Sequence, residues 1–168
     1  MNISLIGMMG CGKSTIAKLL ADRLLFQLVD IDDLIVQKEG QSINEIFANK
    51  GEEYFRKIEA DILKHILSFD NTIISTGGGI IKLDDNIQLL KEKSKVVYLK
   101  ADANVLYERV KNNSDRPLLN TEDMYDKIKV LLSERKEKYE FAAHYIIDAN
   151  QMTNKIVEEI IEKLKWEK

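Results

Sequence analysis

Short apolar runs alternate along this chain with longer segments in which apolar positions recur every three or four residues. The runs at 72–75 and 96–99 are typical of strands covered on both faces, and the longer segments have the period of amphipathic helices. The predicted elements are strand 2–6, helix 14–25, strand 27–30, helix 32–38, helices across 43–68, strand 72–76, helix 83–92, strand 95–100, helix 102–111, loop 112–122, helix 123–142, strand 144–148 and helix 152–165.

This alternation predicts an α/β fold of three layers, in which right-handed crossovers place helices on both faces of a five-stranded parallel sheet. The length suits one domain, 1–168, and no linker rich in proline, glycine or serine divides it. Ligands of such a sheet bind at the carboxyl ends of its strands. Three unusual stretches follow predicted strands, and we expect them to meet at one edge: residues 7–15, 30–33 and 77–79.

The first stretch reads GMMGCGKST and matches G-x-x-x-x-G-K-[ST] between a strand and a helix. The backbone N–H groups of such a loop, together with the N-terminus of the following helix, bind phosphate oxygens. We expect Lys13 to reach the β- and γ-phosphates and the Ser14 hydroxyl to bind Mg²⁺. Cys11, between two glycines, is interpreted as a small side chain chosen for steric reasons. The pattern predicts a nucleoside triphosphate site.

The second and third stretches are candidates for substrate chemistry. Asp30 and Asp32 are two residues apart and would project to the same side of extended backbone. Beside a triphosphate, one carboxylate can hold Mg²⁺ while the other accepts a hydrogen bond from the attacking hydroxyl. The alternative is that one of them caps the following helix. Residues 77–79 are three glycines, which favour either a flexible turn or a close approach of backbone to substrate.

Arginine suits bidentate binding of carboxylate and phosphate, and this lysine-rich chain has five arginines. Arg135 lies on the apolar stripe of its helix, so it either faces inward toward an anion or extends its head to water. Arg56 lies off the apolar face, and periodicity alone predicts a surface residue. Arg109 is left open between stacking on a base and solvation. Arg116 belongs to loop 112–122, interpreted as a lid over the γ-phosphate or as a plain surface loop.

Composition narrows the functional classes further. A net charge of −3 and a pI near 5.5 argue against a nucleic-acid surface. A single cysteine excludes an intramolecular disulfide framework and fits a reducing compartment. Without a leader pattern or a run of about 18 apolar residues, we expect a cytoplasmic protein with no membrane partner. We also expect a monomer. His65 and His144 lie at no metal-ligand spacing, so both are interpreted as structural and no zinc site is expected.

Taken together and in order, these motifs resemble the shikimate kinase family, in the nucleoside monophosphate kinase-like group of P-loop proteins. The resemblance covers nearly the whole chain. The matching stretches are the phosphate loop, Val29-Asp30-Ile31-Asp32, Gly40-Gln41-Ser42-Ile43 with Ile46-Phe47, Gly51-Glu52 with Phe55-Arg56, Gly77-Gly78-Gly79, Arg116-Pro117-Leu118-Leu119, and Arg135 with Tyr139.

The resemblance implies phosphorylation of the 3-hydroxyl of shikimate by MgATP, a step toward chorismate and the aromatic amino acids. It implies that Asp32 binds the shikimate hydroxyls and acts as base, and that Lys13 and Arg116 stabilise the transferring phosphoryl group. Mg²⁺ would be bound by Ser14, with Asp30 near it. The implied ATP site is Gly10, Cys11, Gly12, Lys13, Ser14, Thr15, Arg109 and Arg116. The implied shikimate site is Asp32, Phe47, Phe55, Arg56, Gly77, Gly78, Gly79 and Arg135.

The resemblance also implies substrate-binding helices at about 32–62, and it overrides the surface interpretation of Arg56. The chain departs from the family at 149–152, which lack the basic and proline residues often found in the adenine loop. Other small-molecule kinases, such as a gluconate or nucleoside monophosphate kinase, remain alternatives. A GTPase is disfavoured because N-K-x-D is only approached, at 49–52. An inactive ATP-binding module would have lost at least one of Asp32, Arg116 and Arg135.

Overall fold

The computed structural model describes residues 1–111 and 123–165. Within these ranges the chain forms five strands and seven α-helices, whose ends fall within two residues of the predicted ones. They are β1 (Ile3–Ile6), α1 (Lys13–Leu24), β2 (Gln27–Asp30), α2 (Ile31–Glu39), α3 (Ile43–Ile66), β3 (Thr72–Ser75), α4 (Asp84–Lys93), β4 (Lys95–Lys100), α5 (Ala103–Val110), α6 (Met124–Ala142), β5 (Tyr145–Asp148) and α7 (Thr153–Lys165). A 3₁₀ turn, Ile80–Lys82, lies between β3 and α4.

The five strands form one parallel sheet in the order β2-β3-β1-β4-β5, which confirms the predicted fold class. The central strand β1 pairs with β3 on one side and with β4 on the other. From β1 the chain crosses to the β2 edge, and after β3 it crosses back over β1 to β4. The connection therefore reverses direction beside β1, and a crevice for ligands is expected at the carboxyl end of this strand.

Helices pack against the sheet in two groups. Helices α1 and α7 contact each other, α1 also contacts β2 and β3, and α7 contacts β5. Helices α4 and α6 contact each other and β4, and α5 packs on α6. Strands β1 and β3 are completely buried between these layers, as their continuous apolar runs predict. No helix in the described ranges is both long and apolar enough to span a membrane.

Helices α2 and α3 pack on each other, and α3 also contacts the 3₁₀ turn and α4. Helix α3 begins with a capping box, in which the Ser42 side chain accepts from the Glu45 N–H and the Glu45 side chain accepts from the Ser42 N–H. It is interrupted at Gly51, where φ is 82° and ψ is 170°. This kink separates a first segment, 43–50, from a second that carries Phe55, Arg56 and most of the buried side of the helix.

Candidate active site

The phosphate loop connects β1 to α1 and folds through glycines that no other residue replaces without strain. Gly10 and Gly12 have φ of 81° and 96°, in the left-handed region that disfavours side chains. Space is also limited, since a Cβ on Gly7 would lie 2.7 Å from the Leu99 carbonyl oxygen and one on Gly10 would lie 2.6 Å from Val110 Cγ1. The loop is therefore held tightly over the carboxyl end of β1.

Lys13 is the first residue of α1, and its side chain folds back into the loop. Its ammonium donates to the carbonyl oxygens of Gly7 at 2.8 Å and Met8 at 3.0 Å. Cys11 is completely buried with its sulfur 3.6 Å from Lys13 Nζ, consistent with a small packing residue. A cation is thus positioned beside the N–H groups of the loop and the N-terminus of α1, which together favour an anionic ligand.

Asp30 and Ser14 are hydrogen-bonded across the entrance of this loop. Ser14 Oγ donates to Asp30 Oδ2 at 2.9 Å, and the Ser75 hydroxyl lies 3.4 Å from Ser14 Oγ. Asp30 also caps α2, because its Oδ1 accepts from the Asp32 N–H at 3.0 Å. The alternative interpretation of Asp30 as a helix cap is thus confirmed, and its other carboxylate oxygen lies beside the Ser14 hydroxyl that is predicted to bind the metal.

These oxygens fit Mg²⁺, although the described residues contain no group of three or more acidic, histidine or cysteine side chains that could hold a metal. Mg²⁺ usually takes only one or two protein ligands and completes its octahedron with water and substrate phosphates. A hydroxyl and one carboxylate next to a phosphate loop are what such a site supplies. Ser14 and Asp30 would hold the ion.

The prediction that Asp30 and Asp32 project to the same side of extended backbone is wrong. Asp32 does not lie in extended backbone beside Asp30, since β2 ends at Asp30 and Asp32 belongs to the first turn of α2. Both aspartates nevertheless line one cleft of about 310 Å³. The phosphate loop with Lys13, residues 75–78 and Arg109 form its other walls. The three stretches that were predicted to converge, 7–15, 30–33 and 77–79, thus meet at one edge of the sheet.

Two of the three glycines after β3, Gly77 and Gly79, lie very close to charged side chains, and Gly78 makes ordinary contacts. None of them has a positive φ. A Cβ on Gly77 would lie 2.9 Å from Glu59 Oε1 and 3.0 Å from Asp32 Oδ1, and one on Gly79 would lie 2.4 Å from a guanidinium nitrogen of Arg56. A Cβ on Gly78 would lie 3.4 Å from the backbone N of Met9, in the phosphate loop. The glycine loop, residues 77–79, therefore lies against the phosphate loop, the carboxylates of Asp32 and Glu59, and the Arg56 guanidinium.

Arg56 is not the surface residue that periodicity predicts. Its side chain is only 11% exposed, and Nη1 donates to Glu59 Oε2 at 2.7 Å while Nε donates to Glu52 Oε1 at 3.3 Å. The apolar stripe of α3 packs on the body of the protein, but the glycine loop and the 3₁₀ turn cover the adjacent edge as well. This second contact covers most of the Arg56 side chain, and only the tertiary structure reveals it.

Glu59 is a candidate site residue that sequence reasoning missed. It is completely buried, and its Oε1 has no hydrogen-bond partner among the described residues. Burial raises the pKa of this carboxyl, and the nearby Asp32 acts in the same direction, while the Arg56 guanidinium opposes them. The sequence feature that could have indicated Glu59 as a site residue is its position three residues after Arg56, between the apolar positions of the same helix.

Arg135 faces inward, as its position on the stripe predicts. It is 5% exposed, and its Nη1 donates to the Gly78 carbonyl oxygen at 3.2 Å. Tyr139, one turn later on α6, donates to the same oxygen. Arg135 and Arg56 therefore both reach the glycine loop, one at Gly78 and the other at Gly79. Two guanidinium groups therefore contact this loop, which itself lines the cleft through Gly77 and Gly78.

Two aromatic side chains lie beside Arg56. The rings of Phe47 and Phe55 have centroids 4.7 Å apart, and the guanidinium carbon lies 5.0 Å from the Phe55 centroid and 6.0 Å from that of Phe47. Phe55 is almost fully buried. The pair forms an apolar wall that lowers the local dielectric around the charged groups.

Arg109 spans the opposite end of the cleft. Its guanidinium donates to the Ala149 carbonyl oxygen at 3.1 Å and to that of Gly10 at 3.5 Å. It thereby connects the phosphate loop to the segment after β5, where an adenine loop was expected. Arg116 and the predicted lid, 112–122, lie outside the described residues. Thr15 lines the same cleft from the first turn of α1.

Both histidines lie in structural positions. His144 Nδ1 accepts from the backbone N–H of Val96 at 3.0 Å, and the His65 ring packs edge-on against Phe69 with centroids 5.1 Å apart.

Comparison with known proteins identifies the family. A family model described as Shikimate kinase matches residues 9–165. The shikimate kinase of Sulfurihydrogenibium sp. is 43% identical over 98% of this chain and 98% of its own length, and that of Thermodesulfovibrio yellowstonii is 41% identical over 97% and 92%. The solved structure of shikimate kinase from Acinetobacter baumannii in complex with shikimate superposes with a TM-score of 0.96 at 34% identity, covering 99% of this chain and 94% of that one. Because the family model and these relatives match almost the whole length of the chain, it belongs to the shikimate kinase family.

Proposed function

We propose that this protein transfers the γ-phosphoryl group of ATP to the 3-hydroxyl of shikimate, with Mg²⁺ as the metal. The observation that supports this most directly is the convergence on one cleft: a phosphate loop with its lysine, the Asp32 carboxylate and a glycine loop flanked by two guanidinium groups. Family membership indicates shikimate as the acid, and the resemblance of the motifs implies its 3-hydroxyl as the acceptor.

The acceptor side suits a small polyhydroxy carboxylate. Arg56 and Arg135 supply donors for its carboxylate, the glycine loop lets the substrate approach the backbone, and Asp32 accepts from its hydroxyls. Asp32 takes the proton of the 3-hydroxyl as that oxygen attacks. Phe47 and Phe55 provide the apolar wall against the carbon ring.

The donor side holds the triphosphate by its loop N–H groups and by Lys13. In the structure the Lys13 ammonium is bonded to loop carbonyls, and it exchanges them for phosphate oxygens when the nucleotide binds. Ser14 and Asp30 would hold Mg²⁺, which neutralises the charge of the phosphates when bound. Arg109 contacts the adenine, and Arg116 of the predicted lid adds positive charge where it develops on the transferring group.

A kinase for another small acid, such as gluconate, is the nearest alternative, because two guanidinium groups and one carboxylate suit any polyhydroxy acid. A nucleobase acceptor has no use for two arginines at a single carboxylate. The test is ADP release in a coupled assay with shikimate, quinate, gluconate and nucleoside monophosphates as acceptors. We expect turnover with shikimate to exceed that with the others by at least about 10²-fold, since the site pairs several buried polar groups at once. Equal or faster turnover with gluconate would overturn the assignment.

A further inference from the structure

The carbonyl oxygen of Gly78 is bonded twice by the same helix. Tyr139 Oη donates to it at 2.5 Å and Arg135 Nη1 at 3.2 Å, and these residues are one turn apart on one face of α6. Gly78 also lies against the phosphate loop, because its missing side chain would contact Met9 N and Gly7 O. Gly78, in the glycine loop, is therefore in contact with both the phosphate loop and α6.

Tyr139 is held rigidly by the sheet. It is completely buried, and its ring stacks on that of Tyr98 in β4, with centroids 5.0 Å apart and an interplanar angle of 17°. Burial raises the pKa of its hydroxyl above the usual value, so the group keeps its proton and can donate throughout the neutral range. The central sheet thus fixes a permanent hydrogen-bond donor under Gly78.

A peptide unit is planar and trans, so its N–H points away from its own C=O. Because α6 holds the C=O of Gly78, the N–H of Gly79 in the same peptide is directed away from α6. The hydrogen bonds within this turn, from Ile80 N to Gly77 O and from Lys82 N to Gly79 O, do not use that N–H. Gly79 itself is the glycine next to the Arg56 guanidinium.

We propose that Tyr139 is a positioning residue for the acidic substrate: its hydroxyl anchors the Gly78–Gly79 peptide, so that Arg135, which also donates to the Gly78 oxygen, can turn to the substrate's carboxylate without leaving that oxygen unpaired. This inference rests on the proposed function. If the hydroxyl is removed, Arg135 is the remaining donor to Gly78 O among the described residues. A buried carbonyl then competes with the substrate for the same guanidinium hydrogens.

The test is Tyr139→Phe, which deletes the hydroxyl and keeps the stacked ring, with Tyr98→Phe as the matched control in the same stack. We expect Tyr139→Phe to raise the KM for shikimate roughly five- to tenfold, the effect of one hydrogen bond, while the KM for ATP changes less than about twofold. Tyr98→Phe should leave both KM values within about twofold. In an Arg135→Ala background, Tyr139→Phe should have little further effect, because the arginine that it protects is absent.

Three results would overturn the inference. One is an unchanged shikimate KM in Tyr139→Phe. Another is a rise in the KM for shikimate and the KM for ATP that is equally large in Tyr139→Phe and in Tyr98→Phe, which would indicate a general loss of packing. The third is an effect of Tyr139→Phe that persists in full without Arg135.

Calorimetry of shikimate binding to the unmodified protein distinguishes failure of this inference from failure of the proposed function. Absence of binding there would reject the substrate and the inference together, whereas normal binding with an unaltered variant rejects the inference alone.

Discussion

At the scale of single residues, the candidate site depends on one ion pair that solvent hardly reaches, since the side chains of Arg56 and Glu59 are 11% and 0% exposed. Arg56 is held between Glu59 and Glu52, and Asp32 lies within reach of the same glycine as Glu59. Removing one partner of a buried pair leaves the other charge uncompensated, which costs more than losing a surface ion pair. Substitutions here should therefore have large effects that depend on which partner is changed.

We expect Asp32→Asn to lower kcat/KM for shikimate by at least about 10²-fold, because the amide cannot accept the proton of the attacking hydroxyl. The matched control is Asp33→Asn, the exposed neighbour on the same helix turn. Its kcat/KM should stay within about twofold of the unmodified value in the same coupled assay. Comparable losses in both variants would show that the charge of α2, rather than Asp32 itself, matters.

Gly79→Ala tests the close approach of the glycine loop to Arg56. The backbone of Gly79 is compatible with alanine, at φ −100°, but the new methyl group would lie about 2.4 Å from the guanidinium. The arginine must move, so we expect the KM for shikimate to rise by about tenfold or more, the loss of a charge-assisted hydrogen bond. Gly78→Ala, whose methyl group meets its nearest atom only at 3.4 Å, is the comparison and should have the smaller effect. A larger effect at Gly78 would contradict this account.

Glu59 should make stability depend on pH. Burial raises its pKa in the folded protein above the usual 4.5, so the native state binds more protons than the unfolded state between the two values. The free energy of unfolding therefore falls as pH rises through that window. Glu59→Gln removes this titration, while Arg56, Asp32 and Lys82 remain. We expect urea unfolding of the variant to have a flatter pH profile from pH 4 upward, and parallel profiles would show that Glu59 does not titrate in this way.

At the scale of elements, the kink in α3 depends on a backbone conformation that only glycine adopts easily. Gly51, at φ 82° and ψ 170°, has open space around its Cα, and so does Gly40, the left-handed cap of α2 at φ 64° and ψ 18°. The two glycines therefore differ in backbone conformation and not in packing. Asparagine tolerates the left-handed region but not the region of Gly51.

We expect Gly51→Asn to destabilise the protein by about 1–3 kcal/mol, the strain of the glycine-only region. Gly40→Asn should cost much less, because asparagine is common at left-handed helix caps. Urea denaturation of both variants measures the difference. Equal stability of the two would mean that the kink relaxes without loss and does not depend on Gly51.

At the scale of the whole molecule, the two halves of the candidate site come from different layers of the fold. In the proposed function, the phosphate loop, α1 and Asp30 would form the ATP side, whereas α3, α6 and the glycine loop would form the shikimate side. The proposed shikimate side includes none of the proposed metal ligands. Binding of shikimate should therefore be separable from phosphoryl transfer.

We expect EDTA to abolish ADP release while leaving shikimate binding intact. At about 100 times its dissociation constant, shikimate should stabilise the protein by roughly 2.7 kcal/mol with or without the chelator, as mass action requires. Thermal unfolding measures this stabilisation, and Arg135→Ala should reduce it. Loss of the shikimate effect in EDTA would indicate that the metal also organises the acceptor side.

Much of this protein could be predicted from patterns that act locally. The phosphate loop, the strand and helix positions and the inward face of Arg135 depend on neighbouring residues and on periodicity, which a sequence displays directly. The convergence of the three stretches could also be predicted from the sequence, because parallel strands place their carboxyl ends at one edge of the sheet. The resemblance to a family located Arg56, where periodicity alone did not.

Tertiary structure decided what depends on contacts between distant segments. Glu59 is buried and Arg56 is half-buried because the glycine loop covers an edge of α3 that its own periodicity leaves open. Asp32 is placed by a helix turn instead of extended backbone, and Gly78 is held by Tyr139 across 61 positions of chain. A sequence pattern reports the preferences of a segment for its immediate neighbours, whereas burial and pairing are set by which surfaces meet after the chain has folded.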